Sequence, residues 1–195
     1  MAKKKQNKQH TEAVRRKRQA EEDAAKIGLR LDDQRAVVGF VFSHLDLSHI
    51  AFMGLNSIND VCKRYAGLDI CVFRQHIRPE CVVPLCPVFD IDELLRWHSF
   101  PLVSTSIGTS ISALSSNASR VYHYAFDPEF IGRPDKEYHD TMMAFCDPRI
   151  RVIVRHPSHK QLIEEEFSIS VCDTIVPDFD VELLSKIALT EMKNE

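Results

Sequence analysis

The sequence contains no apolar run approaching the roughly 18 residues that cross a bilayer, and its lysine-rich start is not followed by an apolar stretch with a small-residue cleavage site. Neither a membrane span nor a secretory leader is expected, which places the chain in the cytoplasm with no membrane partner. The six cysteines form no C-x-x-C pair. Several, such as Cys71 within Asp69-Ile-Cys-Val-Phe73, sit inside apolar runs, so they read as small hydrophobes in a reducing compartment and argue against a disulfide frame or a zinc knuckle. There is no G-x-G-x-x-G, no glycine-rich loop followed by lysine and no G-x-S-x-G, and no cysteine has a His and an acid in a recognisable order. Nucleophilic hydrolysis is therefore unsupported. No aromatic residue precedes Phe40, which excludes base stacking by the first part of the chain.

What is present divides into two parts, residues 1–34 and 35–195. Lys3, Lys4, Lys5, Lys8, Arg15, Arg16, Lys17 and Arg18 stand against Glu12 alone, a net +7 in the first twenty residues, which leaves −10 for the rest of a chain whose total is −3. Ala2 to Gln9 offers nothing to bury and is expected to be disordered. From Thr11 to about Gly28 good helix formers dominate, with Val14 and Ile27 as the only sizeable apolar side chains. This basic, disordered-to-helical tail has the charge to bind nucleic acid or an acidic protein surface by counterion release. A solubilising terminus accounts for the same composition.

The body, at 195 residues less the tail, has length and apolar content enough for one well-buried core. Ala36–Phe42 is a continuous β-branched and aromatic run, as a strand buried on both faces requires. A helix capped by Asn56 or Ser57 and stopped at Gly67 follows, then a strand over Leu68–Phe73. Pro79, Pro84 and Pro87 restrict Val82–Phe89 to edge or broken extended structure. Asp90 is expected to cap a short helix over Ile91–His98. Further strands are expected at Pro101–Ser104, Val121–Phe126 (alternating), Ile150–Val154 and Ile169–Val176. Helices are expected to open near Thr105, over Asp135–Cys146, from a Ser158 cap through Phe167, and over Val181–Lys193, with Asp178-Phe179-Asp180 capping the last and Phe179 packing inward. Strands and helices that alternate through short loops give a three-layer α/β domain with a mainly parallel sheet.

Ligands of such sheets bind beyond the carboxyl ends of the strands, which nominates the loops 43–49, 74–78, 104–110, 127–133 and 155–159. In Ser104-Thr105-Ser106-Ile107-Gly108-Thr109-Ser110, backbone N–H groups at a helix start and nearby hydroxyls suit a phosphate, although plain helix capping uses the same residues. Arg155, directly after a strand, can meet that phosphate from the same rim, with Ser158 nearby. Asp127 and Glu129 offer carboxylates for acid–base work or for sugar hydroxyls, and Pro128 between them also fits a simple turn. His44, Asp46 and His49 are metal-ligand types, yet no third histidine completes a known spacing, so loop polarity explains them without a metal. Of His156 and His159, the first precedes Pro157 and is assigned to the helix start, its ring separated from the second.

The succession Leu55-Asn-Ser-Ile58, Asp69-Ile-Cys-Val-Phe73, Pro84-Leu-Cys-Pro-Val-Phe89, the Ser/Thr loop, Tyr124-Ala-Phe-Asp-Pro-Glu-Phe130 and Ile175-Val-Pro-Asp-Phe-Asp180 is similar to small proteins of large tailed bacteriophages. Those resemble one Rossmann-like half of the two-domain nucleotide-sugar glycosyltransferases. The resemblance covers residues 36–190. It implies a Rossmann-like domain, a nucleotide or nucleotide-sugar ligand near residues 104–110, Arg155 and Ser158, and a host-cell cytoplasmic setting. Such transferases close two lobes over donor and acceptor, and this chain has length for one. Turnover then requires a homo-oligomer or a partner lobe, and a non-catalytic binding domain is the alternative.

Overall fold

A computed structural model describes residues 36–65, 67–127, 131 and 136–191. The tail, with Lys3, Lys4, Lys5, Lys8, Arg15, Arg16, Lys17 and Arg18, and also Glu129, lies outside the described residues. The elements in chain order are β1 (Ala36–Phe42), α1 (His49–Arg64), β2 (Leu68–Arg74), β3 (Val88–Asp90), a 3-10 turn (Ile91–Arg96) and β4 (Leu102–Ser104). After these come α2 (Ile107–Leu114), β5 (Val121–Ala125), α3 (Lys136–Phe145), β6 (Ile150–Val154), α4 (Pro157–Phe167), a 3-10 turn (Pro177–Phe179) and α5 (Val181–Glu191). All six strands are parallel, in the order β3-β2-β1-β4-β5-β6.

The fold is a Rossmann-like three-layer α/β domain. Val38, Phe40, Phe42, Val72, Tyr122 and Tyr124 face α1, α5 and Phe179 on one side of the sheet. Val41, Phe73, Leu102, Val121, Val152 and Val154 face the 3-10 turn, α2, α3 and α4 on the other. With both faces covered, a central strand has no solvent side, so β5 is buried at every position rather than alternating. The helices change face because right-handed crossovers that run outward from β1 to β2, and in the opposite direction from β3 through β6, cannot lie on one side. Among the described residues no helix is long and apolar enough to cross a membrane.

The element boundaries depart from the sequence expectations where a capping residue serves a different partner. Helix α1 begins at His49, not after Asn56: Ser48 is the cap, its hydroxyl accepting the Ala51 amide at 3.2 Å. Asn56 instead donates back to the Phe52 carbonyl at 2.9 Å, and the Ser57 hydroxyl accepts the Val181 amide at 3.0 Å, so it serves the start of α5 on the same face. Asp90 makes no side-chain cap bond; its carboxylate accepts from Arg74 Nε at 3.3 Å. The cap of α4 is His156 rather than Ser158: with Pro157 at the first helical position, the His156 ring nitrogen Nδ1 accepts the Ser158 amide. Residues 169–176 form no strand. They touch β6 at a single bridge, Val152 to Val171, and the Cys172 and Val176 amides reach the Val152 and Val154 carbonyls at 2.9 Å each, so four residues of this segment pass two of β6 and a ladder cannot continue in register.

Candidate ligand site at the sheet reversal

Strand order reverses between β1 and β4, which are neighbours but feed helices on opposite faces of the sheet. Beyond their carboxyl ends the two chains turn to opposite faces, and the crevice expected at such a reversal lies between the N-termini of α1 and α2. Its floor is tied shut. Thr105 directs both its amide and its Oγ1 at the Val41 carbonyl, each at 3.1 Å, and the Ser43 and Ser106 hydroxyls meet at 3.0 Å. The chain leaving β2 follows that leaving β1, with the Gln75 amide on the Phe42 carbonyl at 3.0 Å and the His76 amide on the Ser43 carbonyl at 2.8 Å.

Helix α2 opens with a reciprocal cap. The Ser106 hydroxyl accepts the Thr109 amide at 3.2 Å, and the Thr109 Oγ1 accepts the Ser106 amide at 2.9 Å. This cap leaves the amides of Ile107 and Gly108, which precede the first intrahelical bond, pointing out of the helix end. Among the described residues, a Cβ built at Gly108 would meet only Gln75 Oε1, at 3.9 Å. An anion held at this end would gain both amides and the positive end of the helix dipole.

On the other flank, Phe126 ties three elements together. The Arg155 guanidinium lies 4.3 Å over its ring, and His49, the first residue of α1, meets it edge-on at 5.2 Å. Asp127 is half exposed, and its carboxylate approaches Arg155 Nη1 at 4.0 Å, a loose pairing. Because every strand is parallel, the 104–110 loop and Arg155 stand on the same lip of the sheet, two strand spacings apart, or roughly 10 Å.

The structure separates the residues nominated from the sequence. Ser104, Thr109 and Ser110 are fully buried and turned inward. The Ser104 and Ser110 hydroxyls meet at 2.7 Å, Ser110 Oγ lies 2.9 Å from His123 Nδ1, and Ser104 Oγ donates to the Tyr122 carbonyl at 3.3 Å. These groups fasten α2 to β4 and β5. Burial lowers His123 to about 4, so its ring is neutral at pH 7. Thr105, Ser106, Gly108, Asp127 and Arg155 remain at the crevice. Ser158 is exposed at the start of α4, its hydroxyl 2.7 Å from His156 Nδ1. The His156 and His159 rings stand 6.0 Å apart; burial, and secondly Arg155, lower His159.

His44, Asp46 and His49 do not converge. His44 Nδ1 pairs with the Asp46 carboxylate, Asp46 also takes Arg78 Nη1 at 3.0 Å, and His49 turns to Phe126. Among the described residues no three metal-ligating side chains come together. The contributions of Ser43, Gln75 and Phe126 have no signature in the sequence beyond their positions just after strands. A cavity of about 530 Å³ lies away from the crevice, between residues 170–174 and α5. Its carboxylates are engaged, Glu191 by the Tyr122 hydroxyl at 2.9 Å and Asp173 by Lys160 at 2.7 Å. Comparison with known proteins yields no matching family model, no matching curated protein and no matching solved structure.

Proposed function

We propose that this domain binds a nucleotide or nucleotide sugar in the crevice between β1 and β4. The observation that carries the reading is the reversal of strand order, where the open N-terminus of α2 and the ring-supported guanidinium of Arg155 share one rim. The diphosphate takes the Ile107 and Gly108 amides and Arg155, while Asp127 accepts from ribose or sugar hydroxyls. The resemblance to one half of the nucleotide-sugar transferases supports the same ligand class. In that setting the domain's part in group transfer is electrostatic, the helix end and Arg155 stabilising the charge that develops on a departing diphosphate. A second lobe, from another copy or a partner, supplies the acceptor side.

Thermal denaturation with UDP, GDP, UDP-glucose and GDP-mannose tests this. At least one raises the melting temperature of the intact chain, Arg155→Ala removes the shift, and deletion of residues 1–20 leaves it unchanged. No response to any of the four, or an undiminished response in Arg155→Ala, refutes the proposal.

A further inference from the structure

Residues 75–87 join β2 to β3 without helix or strand and carry Pro79, Pro84 and Pro87. One side chain of α1 clamps this connection. Asn59 donates Nδ2 to the Val83 carbonyl at 2.9 Å and accepts the Leu85 amide on Oδ1 at 2.7 Å. Cys62 stands one helical turn beyond Asn59, and Cys86 directly follows Leu85, so the clamp that seats the connection brings the two cysteines to one turn of α1, where their thiols share a hydrogen bond. Both are half-buried and pack on the same core cluster.

We propose that Cys62 and Cys86 are an oxidation site at which a hydroperoxide forms an intramolecular disulfide, stapling the 75–87 connection to α1. The Cys62 thiolate attacks the distal peroxide oxygen, the O–O bond breaks, and Cys62 becomes a sulfenic acid as the peroxide leaves as water or alcohol. The Cys86 sulfur then attacks that sulfur; the S–O bond breaks, hydroxide takes the Cys86 proton and departs as water, and the S–S bond remains. Two thiols are oxidised and one peroxide is reduced.

The electrostatics select Cys62 as the attacking group. Cys86 donates its S–H to the Cys62 sulfur, which lowers the Cys62 thiol and raises that of Cys86. Burial raises Cys71 and Cys81 and pushes Cys172 up to about 11, which keeps them protonated. The staple reaches the crevice, because the same connection carries Gln75 and His76, bonded to the end of β1, and Arg78, bonded to Asp46. The inference is independent of the ligand proposed for that crevice.

The test is a non-reducing peptide map of the full chain after treatment with hydrogen peroxide and alkylation of the remaining thiols, joined to amide hydrogen exchange. A Cys62–Cys86 cross-link is the first product, and amides of residues 76–86 exchange more slowly once it forms. Cys62→Ser and Cys86→Ser each abolish it, and Cys81→Ser leaves it intact; Cys86→Ser lies outside any helix and serves if the α1 variant does not fold. The proposal is overturned if both thiols stay open to alkylation, if Cys62 stops at sulfinic acid, or if its cross-link goes to Cys81.

Discussion

The same glycine-to-alanine change made at two helical positions should move stability in opposite directions. Gly54 lies in the middle of α1, where the helix rests on the sheet, and a Cβ there falls 2.7 and 2.9 Å from two carbons of the Phe42 ring and 3.3 Å from Phe179 Cδ1. Neither ring can retreat. Phe42 is 1% and Phe179 0% exposed, their centroids are 5.6 Å apart, and Phe179 is held from behind by Tyr124 at 4.9 Å. With two contacts under 3.0 Å against rings that cannot move, overpacking costs about 2–3 kcal/mol, the upper part of its usual range, against which alanine gains about 1 kcal/mol of helix propensity. The expected balance for Gly54→Ala is a loss of about 1–2 kcal/mol. At Gly108 the added carbon meets only Gln75 Oε1 at ordinary contact distance, so Gly108→Ala keeps its gain, about 0.5–1 kcal/mol. For a domain of this size each kcal/mol is worth about 2–4 °C, so the two melting temperatures should straddle that of the parent. Urea titrations followed by circular dichroism give the same comparison as free energies. A Gly54→Ala variant as stable as the parent would refute the close seating of α1 on Phe42.

Two further outcomes follow. His123, lowered to about 4 by burial from 6.5, binds a proton more readily in the unfolded chain, so stability is complete above pH 6.5, declines as pH falls through that value, and levels off below about 4. Unfolding free energies should drop by roughly 2 kcal/mol from pH 7 to pH 5; His123→Gln should flatten that part of the profile, and an unchanged slope in the variant would assign it elsewhere. The +7 tail predicts retention on a DNA column that weakens linearly in log salt and disappears on deletion of residues 1–20; retention that survives deletion would place the basic contact in the body.

The strands were legible because a sheet covered on both faces demands mainly apolar runs: Ala36–Phe42 is apolar throughout, and Leu68–Phe73 and Ile150–Val154 are interrupted only at Asp69 and Arg151. Helix starts were less so, since a serine or asparagine that suits a cap does not announce whose cap it is. Ser57 looked like the start of its own helix and serves α5 from 124 positions away, through a contact only the folded chain creates. The Ser/Thr loop shows the same limit within seven residues. Its place after a strand was readable, but hydroxyls that reach the crevice and hydroxyls that lock onto His123 have the same chemistry, and only the phase of α2 sorts Ser106 from Ser110. Gln75 and Phe126 carry no charge to attract notice, and they matter through the strands beside them.

The order of the sheet matches that of dinucleotide-binding folds, yet the chain departs from them where their phosphate is held. There, a glycine-rich turn after the first strand lets a pyrophosphate approach the first helix. Here residues 43–48 between β1 and α1 include no glycine, Leu45 is fully buried as a plug, and the Asp46 carboxylate is fixed by His44 and Arg78 beside the start of α1. A fixed negative charge and a filled turn make that helix end a poor phosphate seat. The first turn of α2 has no acidic residue, and its second position is a glycine whose Cβ, among the described residues, would meet only Gln75. With the α1 end closed to phosphate, one helix end, that of α2, is left to seat a phosphate, with Arg155 reaching in from the opposite flank, which is why a mononucleotide or its sugar conjugate, rather than a dinucleotide, is the ligand proposed.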